Sequence, residues 1–286
     1  MIKEKIKQYS TLVMFEHTIF SLSFGVVSML MAKMGVIDIR TFALVLVAFL
    51  SARTGANAIN RVIDAEIDAR NPRTANRQIP QEIIGKREVI IFTIVCFAIL
   101  VVSAFMLSPL TGFLSPIALF MMTTYSYTKR FTWCCHLYLG VTSAIAPMGA
   151  WLAVTGEFHI VPLILAAVNT LWVAGFDVIY GSQDYDFDKE NNIHSMPRRF
   201  GVKNALRFAV VFHIFAVLGM IAVGIIAEGI NEIVFLAGVA IIAGLLIYEH
   251  RIISPTNLVH AKVAAYSVNQ VVSVVFLVFG VASVYF

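Results

Sequence analysis

Charge is scarce in this sequence. Only 13% of its 286 residues are Asp, Glu, Lys or Arg, against 59% hydrophobic, and the mean hydropathy is +0.84. Soluble domains carry about 25% charged and about 45–50% apolar residues, so 21 basic and 17 acidic side chains cannot clothe a soluble domain of this length. Cysteine is scarce too. Cys96, Cys134 and Cys135 form neither a CxxC pair nor a metal spacing, which excludes a disulfide scaffold and a zinc ribbon. No polar linker or low-complexity stretch divides the chain, so a single domain over 1–286 is expected. The first apolar run lacks a small-residue cleavage site. Lys3, Lys5 and Lys7 therefore precede a retained helix rather than a signal peptide.

What the chain has in quantity is apolar length. A membrane span needs about 20 such residues. Windows of that size fall near 11–32, 40–60, 87–107, 109–127, 134–153, 160–181, 205–227, 231–249 and 264–285. The expectation is an all-α fold, a polytopic membrane bundle of about nine transmembrane helices. Of the 21 Lys and Arg residues, eighteen fall on the side of the N-terminus; Lys33 and Arg40 lie opposite, and Arg53 lies within the second helix. The positive-inside rule then makes the N-terminus and the long polar loops 69–86 and 182–204 cytoplasmic. The basic residues behind the net charge of +4 are spread through short loops, so the partner they imply is the lipid bilayer and not nucleic acid.

Those two loops follow the helices that carry the chemistry. The second helix ends in Asn60-Arg-Val-Ile-Asp64-Ala-Glu-Ile-Asp68. At 100° per residue Asn60, Asp64 and Asp68 lie within about 80° of one another, and Glu66 falls off that face. The sixth helix ends in Asp177-Val-Ile-Tyr180-Gly-Ser-Gln-Asp184-Tyr-Asp-Phe-Asp188. If it continues unbroken, Asp177, Asp184 and Asp188 share an arc of about 40° and Asp186 points away. Like charges four residues apart destabilise a helix, and carboxylates near lipid are costly to desolvate. Such stripes need a cation, and all-oxygen donors favour Mg²⁺ or Ca²⁺. Mg²⁺ completes its shell with phosphate oxygens and water, and Arg73, Arg77 and Lys129 are suited to that phosphate.

Other polar residues divide between site and scaffold. Arg53 lies seven residues before Asn60 on the same face, about 10 Å deeper, where snorkelling is awkward and a buried role is expected. Asn57 shares its stripe, as substrate ligand or as interhelical hydrogen bond. Glu16 and His17 are balanced between site and packing. Arg130, Arg198 and Arg199 read first as positive-inside charges, and His194 as a residue that orders its loop.

Together these motifs resemble the UbiA superfamily of intramembrane aromatic prenyltransferases over nearly the whole length. Asn60-x3-Asp64-x3-Asp68 is similar to the family's first Asp-rich motif and Asp177-x6-Asp184-x3-Asp188 to its second. Tyr125-x3-Lys129 and Arg73-Thr74-x2-Arg77 match two further family segments. Phe15-Glu16-His17-Thr18-Ile19-Phe20, Phe176-Asp177-Val178-Ile179-Tyr180 and His194-Ser195-Met196-Pro197 resemble the subgroup of 4-hydroxybenzoate polyprenyltransferases. The chain departs from the usual pattern at Arg61, at Gln78 and at Ser23.

The resemblance implies a reaction. Asp64, Asp68, Asp184 and Asp188 hold Mg²⁺ against a polyprenyl diphosphate, with Asn60 and Asp177 completing or orienting the site. Lys129, Arg73 and Arg77 neutralise the departing diphosphate. Tyr125 and Tyr180 face the allylic cation. Arg53, with Asn57 beside it, meets the carboxylate of an aromatic hydroxy acid. That acid is 4-hydroxybenzoate-like or, alternatively, a dihydroxynaphthoate of the futalosine route to menaquinone. The setting implied is a bacterial inner membrane. A CDP-alcohol phosphotransferase is disfavoured because the chain has no Asp-Gly dipeptide. A cation-coupled transporter places its charges near the bilayer midplane rather than at one interface.

Overall fold

The computed structural model describes residues 2–14 and 19–286, and every regular element among them is helical. The chain opens with α1 (Ile2–Leu12) and α2 (Ile19–Ala32), then α3 (Ile39–Ile63), the short α4 (Ala65–Arg70), α5 (Lys86–Leu107) and α6 (Pro109–Thr128). There follow α7 (Cys135–Ser143), α8 (Ile145–Thr155), α9 (Ile160–Gly181) and the short α10 (Tyr185–Glu190) and α11 (Met196–Phe200). Three long helices complete it: α12 (Val202–Ile226), α13 (Glu232–Arg251) and α14 (Asn269–Tyr285).

Seven segments among the described residues are long and apolar enough to cross a membrane, which makes the chain an integral membrane protein. They are α3, α5, α7 with α8, α9 with its extension, α12, α13, and α14 with the π-helical turn Val263–Val268 before it. The other two expected spans are helical but differ. Window 11–32 is shared between α1 and α2, which has 14 residues. The helix α6 carries Pro116 and ends in the polar run Thr123-Thr124-Tyr125-Ser126-Tyr127-Thr128. The expected helix 134–153 is interrupted at Ala144. Pro147 has no N–H for the Ser143 carbonyl, and its ring crowds that carbonyl.

The chain forms two compact units. The first comprises Met1–Thr18 and Ile39–Tyr127. Its centre is the close pair α3 and α5: a Cβ on Gly55 would lie 2.6 Å from the Phe97 ring, so a small residue lets the helices meet. Leu12, Val13, Ala58, Ala65, Ile79, Ile84 and Val89 form its apolar cluster. Asn57 Nδ2 donates to Val13 O (2.6 Å) and Arg61 Nε to Leu12 O (3.1 Å), which staples the end of α1 to α3. One turn earlier in α1, Tyr9 packs against the same cluster, with its ring centroid 4.8 Å from that of Phe92. Burial, then the neighbouring Glu88 carboxylate, pushes its hydroxyl up to about 12.

The second unit comprises Ile19–Asp38 and Thr128–Phe286. Its larger core gathers Phe24, Trp172, Phe235 and Phe276, with the Phe24 ring stacked on Phe276 at 4.2 Å and on Trp172 at 5.4 Å. A buried polar chain crosses this apolar interior. Trp172 Nε1 donates to Asn269 Oδ1 (2.6 Å), and Asn269 Nδ2 donates to Glu249 Oε1 and to Ala264 O (3.0 Å each). His213 lies between the Trp172 carbonyl (3.2 Å) and His250 (3.0 Å). These bonds join α9, α12, α13 and α14, so the helix leading to the second carboxylate motif has a fixed backing.

Candidate functional site

In the first unit, α3 stops at Ile63, Asp64 sits at φ −90°, ψ 0°, and α4 resumes at Ala65. Two backbone bonds carry the helical path through the break: Asp64 N to Asn60 O (2.9 Å) and Asp68 N to Asp64 O (2.8 Å). The carboxylate stripe therefore survives. Asp64 and Asp68 are 2% and 4% exposed, while Glu66 is exposed. Asn60 Nδ2 donates to Asp64 Oδ2 (2.7 Å) and to Ser126 Oγ (3.1 Å), so the amide orients the carboxylate. Arg77 returns from the loop with Nη1 at 2.7 Å from both oxygens of Asp68. Thr74 Oγ1, donating to Asp68 O (3.0 Å), ties that loop down. Arg73 is half-buried, its N–H donating to Asn71 Oδ1 (2.9 Å). Asp64, Arg61 and Arg53 all act electrostatically on the Tyr125 hydroxyl, which gathers Arg53, Tyr125 and Asp64 into one neighbourhood. Arg61, counted from sequence among the basic residues on the side of the N-terminus, is buried. The Nδ2 of Asn57 serves the scaffold through Val13. Glu16 and His17 lie outside the described residues.

In the second unit, α9 passes into a 3₁₀ turn at Ser182–Asp184 before α10 begins. The unbroken helix expected from sequence is thus locally overwound. At about 120° per residue the turn widens the arc of Asp177, Asp184 and Asp188 from about 40° to about 80°. The sorting of side chains persists: Asp188 is buried, Asp184 half-buried and Asp186 exposed. Asp188 Oδ2 accepts from Ser195 Oγ (2.6 Å), and the same Oγ accepts from Arg198 N (3.3 Å) to cap α11. Asp184, His136 and Lys129 all lie within electrostatic reach of Asp188. His194 orders its loop through the backbone: its N–H donates to Lys129 O (2.7 Å) and its carbonyl accepts from Cys135 Sγ (3.4 Å). Asp177 Oδ2 pairs with His136 Nδ1 at 2.6 Å. The Tyr180 ring lies 4.6 Å from that of Tyr266 in the π-helical turn.

Three residues join these sets without having been given a role from the sequence. Ser195 had a signal, because a serine before Met196-Pro197 reads as a helix N-cap. Ser126 and His136 had none. As for a metal, Asp64 with Asp68 in the first unit, and Asp184 with Asp188 in the second, each offer carboxylate oxygens alone. Among the described residues no group of three His, Cys, Asp or Glu converges on a metal-sized point. Each pair by itself fits Mg²⁺, which takes one or two carboxylates and fills its shell with phosphate and water rather than sitting in an all-protein cage.

Residues 21–282 match the UbiA prenyltransferase family. The chain belongs to that family. The match runs through both carboxylate sets. A 4-hydroxybenzoate octaprenyltransferase of Neisseria meningitidis serogroup B is 30% identical over 171 residues, 60% of this chain and 58% of that one. The chain thus spans less than two thirds of that relative's length. An apo UbiA homologue from Aeropyrum pernix K1 superposes with a TM-score of 0.83 at 30% identity, covering 92% of this chain and 96% of the other. A UbiA homologue from Archaeoglobus fulgidus bound to GPP and Mg²⁺ shares the fold at a TM-score of 0.71 and 18% identity, over 98% of this chain and all of the other. Arg61, directly after Asn60, is buried and bound to Leu12 O, which accounts for a cation there.

Proposed function

We propose that this chain is a prenyltransferase that moves a polyprenyl group from a polyprenyl diphosphate onto an aromatic hydroxy acid, 4-hydroxybenzoate or a near analogue, in quinone biosynthesis. A C–C bond forms as the C–O bond to diphosphate breaks and the acceptor ring loses a proton. Residues 1–286 count as one prenyltransferase domain in this reading. The observation that carries it is a pair of carboxylate sets in a UbiA family member, with Asp64, Asp68 and Asp188 buried and each held by a hydrogen-bond donor.

Buried carboxylates in a membrane protein call for a cation. Asp64, Asp68, Asp184 and Asp188, with the Asn60 amide, are the residues that would hold Mg²⁺, which supplies charge neutralisation to the leaving diphosphate. Lys129, Arg73 and Arg77 bind the diphosphate oxygens and keep the negative charge in place as it leaves. Tyr125 and Tyr180 offer ring faces to the allylic cation, worth about 0.5–2 kcal/mol each. Arg53 grips the acceptor carboxylate bidentately, and Asn57 beside it offers the second N–H of the amide that binds Val13 O. The apolar helices keep water from capturing the cation. The Neisseria relative, a 4-hydroxybenzoate octaprenyltransferase, supports the benzoate acceptor. The bacterial relatives support a bacterial inner membrane, and the distribution of Lys and Arg supports a cytoplasmic N-terminus and site loops.

The test is product mass spectrometry of the purified protein with Mg²⁺, polyprenyl diphosphates of several lengths and a panel of aromatic acids. A prenylated 4-hydroxybenzoate is expected. Product from a dihydroxynaphthoate alone moves the enzyme to the menaquinone route. No prenylated acid, together with cation uptake in proteoliposomes, overturns the reading in favour of a transporter.

A further inference from the structure

The pair His136 and Asp177 is built with more care than a chance contact. The helices α7 and α9 approach closely because Gly140 lies against the Thr170 carbonyl and Gly181 against the imidazole, where a Cβ would sit 2.9 Å from Cε1. Gly140 and His136 are one turn apart on α7, so both glycine contacts lie on one seam. The close approach lets a short imidazole span the gap to Asp177 at 2.6 Å. His136 is buried, and its Nε2 has no hydrogen-bond partner. The ring therefore makes one side-chain hydrogen bond to a carboxylate, and Nδ1 is the donor that makes it.

Asp177 differs from its ring partner. Its side chain is 27% exposed, and among the described residues only Oδ2 is engaged. Oδ1 remains as an acceptor. Asp177 precedes Asp184 by seven residues, about 10 Å of helical rise. That is too far to share one metal shell, in which ligand oxygens sit about 2.1 Å from Mg²⁺. On its own face of α9, three and four residues away, lie Val173 and Ala174, both buried, with Tyr180 and Gly181. A single acceptor oxygen beyond the metal's reach, in apolar surroundings, matches a neutral aromatic hydroxyl better than a hydrated phosphate.

We propose that His136 is a positioning residue that fixes Asp177 so that its free oxygen accepts a hydrogen bond from the ring hydroxyl of the aromatic acceptor. The inference rests on the prenyl-transfer reading above. No proton leaves the hydroxyl in this step. The hydrogen bond orients the ring and enriches it in electron density before attack.

Binding of 4-hydroxybenzoate and of benzoate to the full-length protein, measured by calorimetry without diphosphate, isolates the hydroxyl. The wild-type protein should bind the hydroxylated acid about tenfold more tightly or better, the size of one hydrogen bond to a carboxylate. His136→Ala and Asp177→Asn should each close that gap and raise the acceptor KM, leaving the diphosphate KM and the half-saturating Mg²⁺ unchanged. His136→Asn, whose amide nitrogen falls near the position of Nδ1, should restore the gap. His136→Gln, with its amide one bond further out, should not. This second pair decides the matter if the alanine variant does not fold. A gap that is absent in wild type or untouched in the variants overturns the proposal, as does a raised Mg²⁺ requirement, which would make Asp177 a metal ligand. Failure of the prenyl-transfer reading looks different: no acid is prenylated by the wild-type protein at all.

Discussion

One guanidinium nitrogen of Arg77 lies 2.7 Å from both carboxylate oxygens of Asp68. A cation of the chain itself thus rests on a carboxylate read here as a metal ligand. When Mg²⁺ and diphosphate arrive, that guanidinium is free to turn to the phosphate. Arg77→Gln should therefore raise the KM for the diphosphate by about tenfold, the worth of a charge-assisted hydrogen bond. Binding of Mn²⁺ alone, followed by its paramagnetic signal, should not weaken. Weaker metal binding in the variant would show instead that Arg77 orders Asp68 for the metal.

The carboxylates should separate by burial. Asp64→Asn and Asp184→Asn should lower kcat by about a hundredfold or more, whereas Asp186→Asn and Glu66→Gln, both at exposed positions, should stay within about twofold. EDTA should stop the reaction and added Mg²⁺ restore it. Steady-state turnover of the four variants decides it, and equal losses at Asp184 and Asp186 would sink the assignment by face.

Asn269 ties three partners together inside the second unit. Its Oδ1 accepts from Trp172, and its Nδ2 donates to Glu249 and to Ala264 O. Asn269→Leu strands a buried indole N–H and a buried carboxyl oxygen, each costing about 1–3 kcal/mol. Thermal unfolding in detergent should register a Tm lower by several degrees. An unchanged Tm would mean that the chain of bonds is slack.

Asn57 offers a local test. Without its bond to Val13 O, Asn57→Ala should leave the end of α1 to the Arg61 bond and the packing of Leu12 and Val13. Hydrogen exchange of residues 2–14 should quicken while α5 and α9 stay protected. Uniform acceleration would instead point to global destabilisation.

The spans were legible because the bilayer imposes a length, and a run such as 87–107 has no soluble alternative. The carboxylate faces were legible for a similar reason: four-residue spacing fixes a stripe whatever the tertiary context. The pairing of α7 with α9 was not, since nothing in the sequence connects His136 with Asp177, 41 residues on. The π-helical turn at Val263–Val268 has no signature either; it is held by Asn269 reaching back to Ala264. The interruption at Ala144 could have been read from Pro147, whereas the division of 11–32 into α1 and α2 carries no proline or glycine to announce it.

The 3₁₀ turn at Ser182–Asp184 also governs what changes of length this stretch can bear. It adds about 1.5 Å and about 60° relative to three α-helical residues, and with that offset Asp188 comes round to Ser195. A substitution at Gln183 leaves the offset alone. A one-residue insertion or deletion between Asp177 and Asp188 rotates everything after it by about 100°, exchanging the buried Asp188 for a neighbour and breaking its bond to Ser195. Side chains in this stretch can drift, but its residue number is fixed.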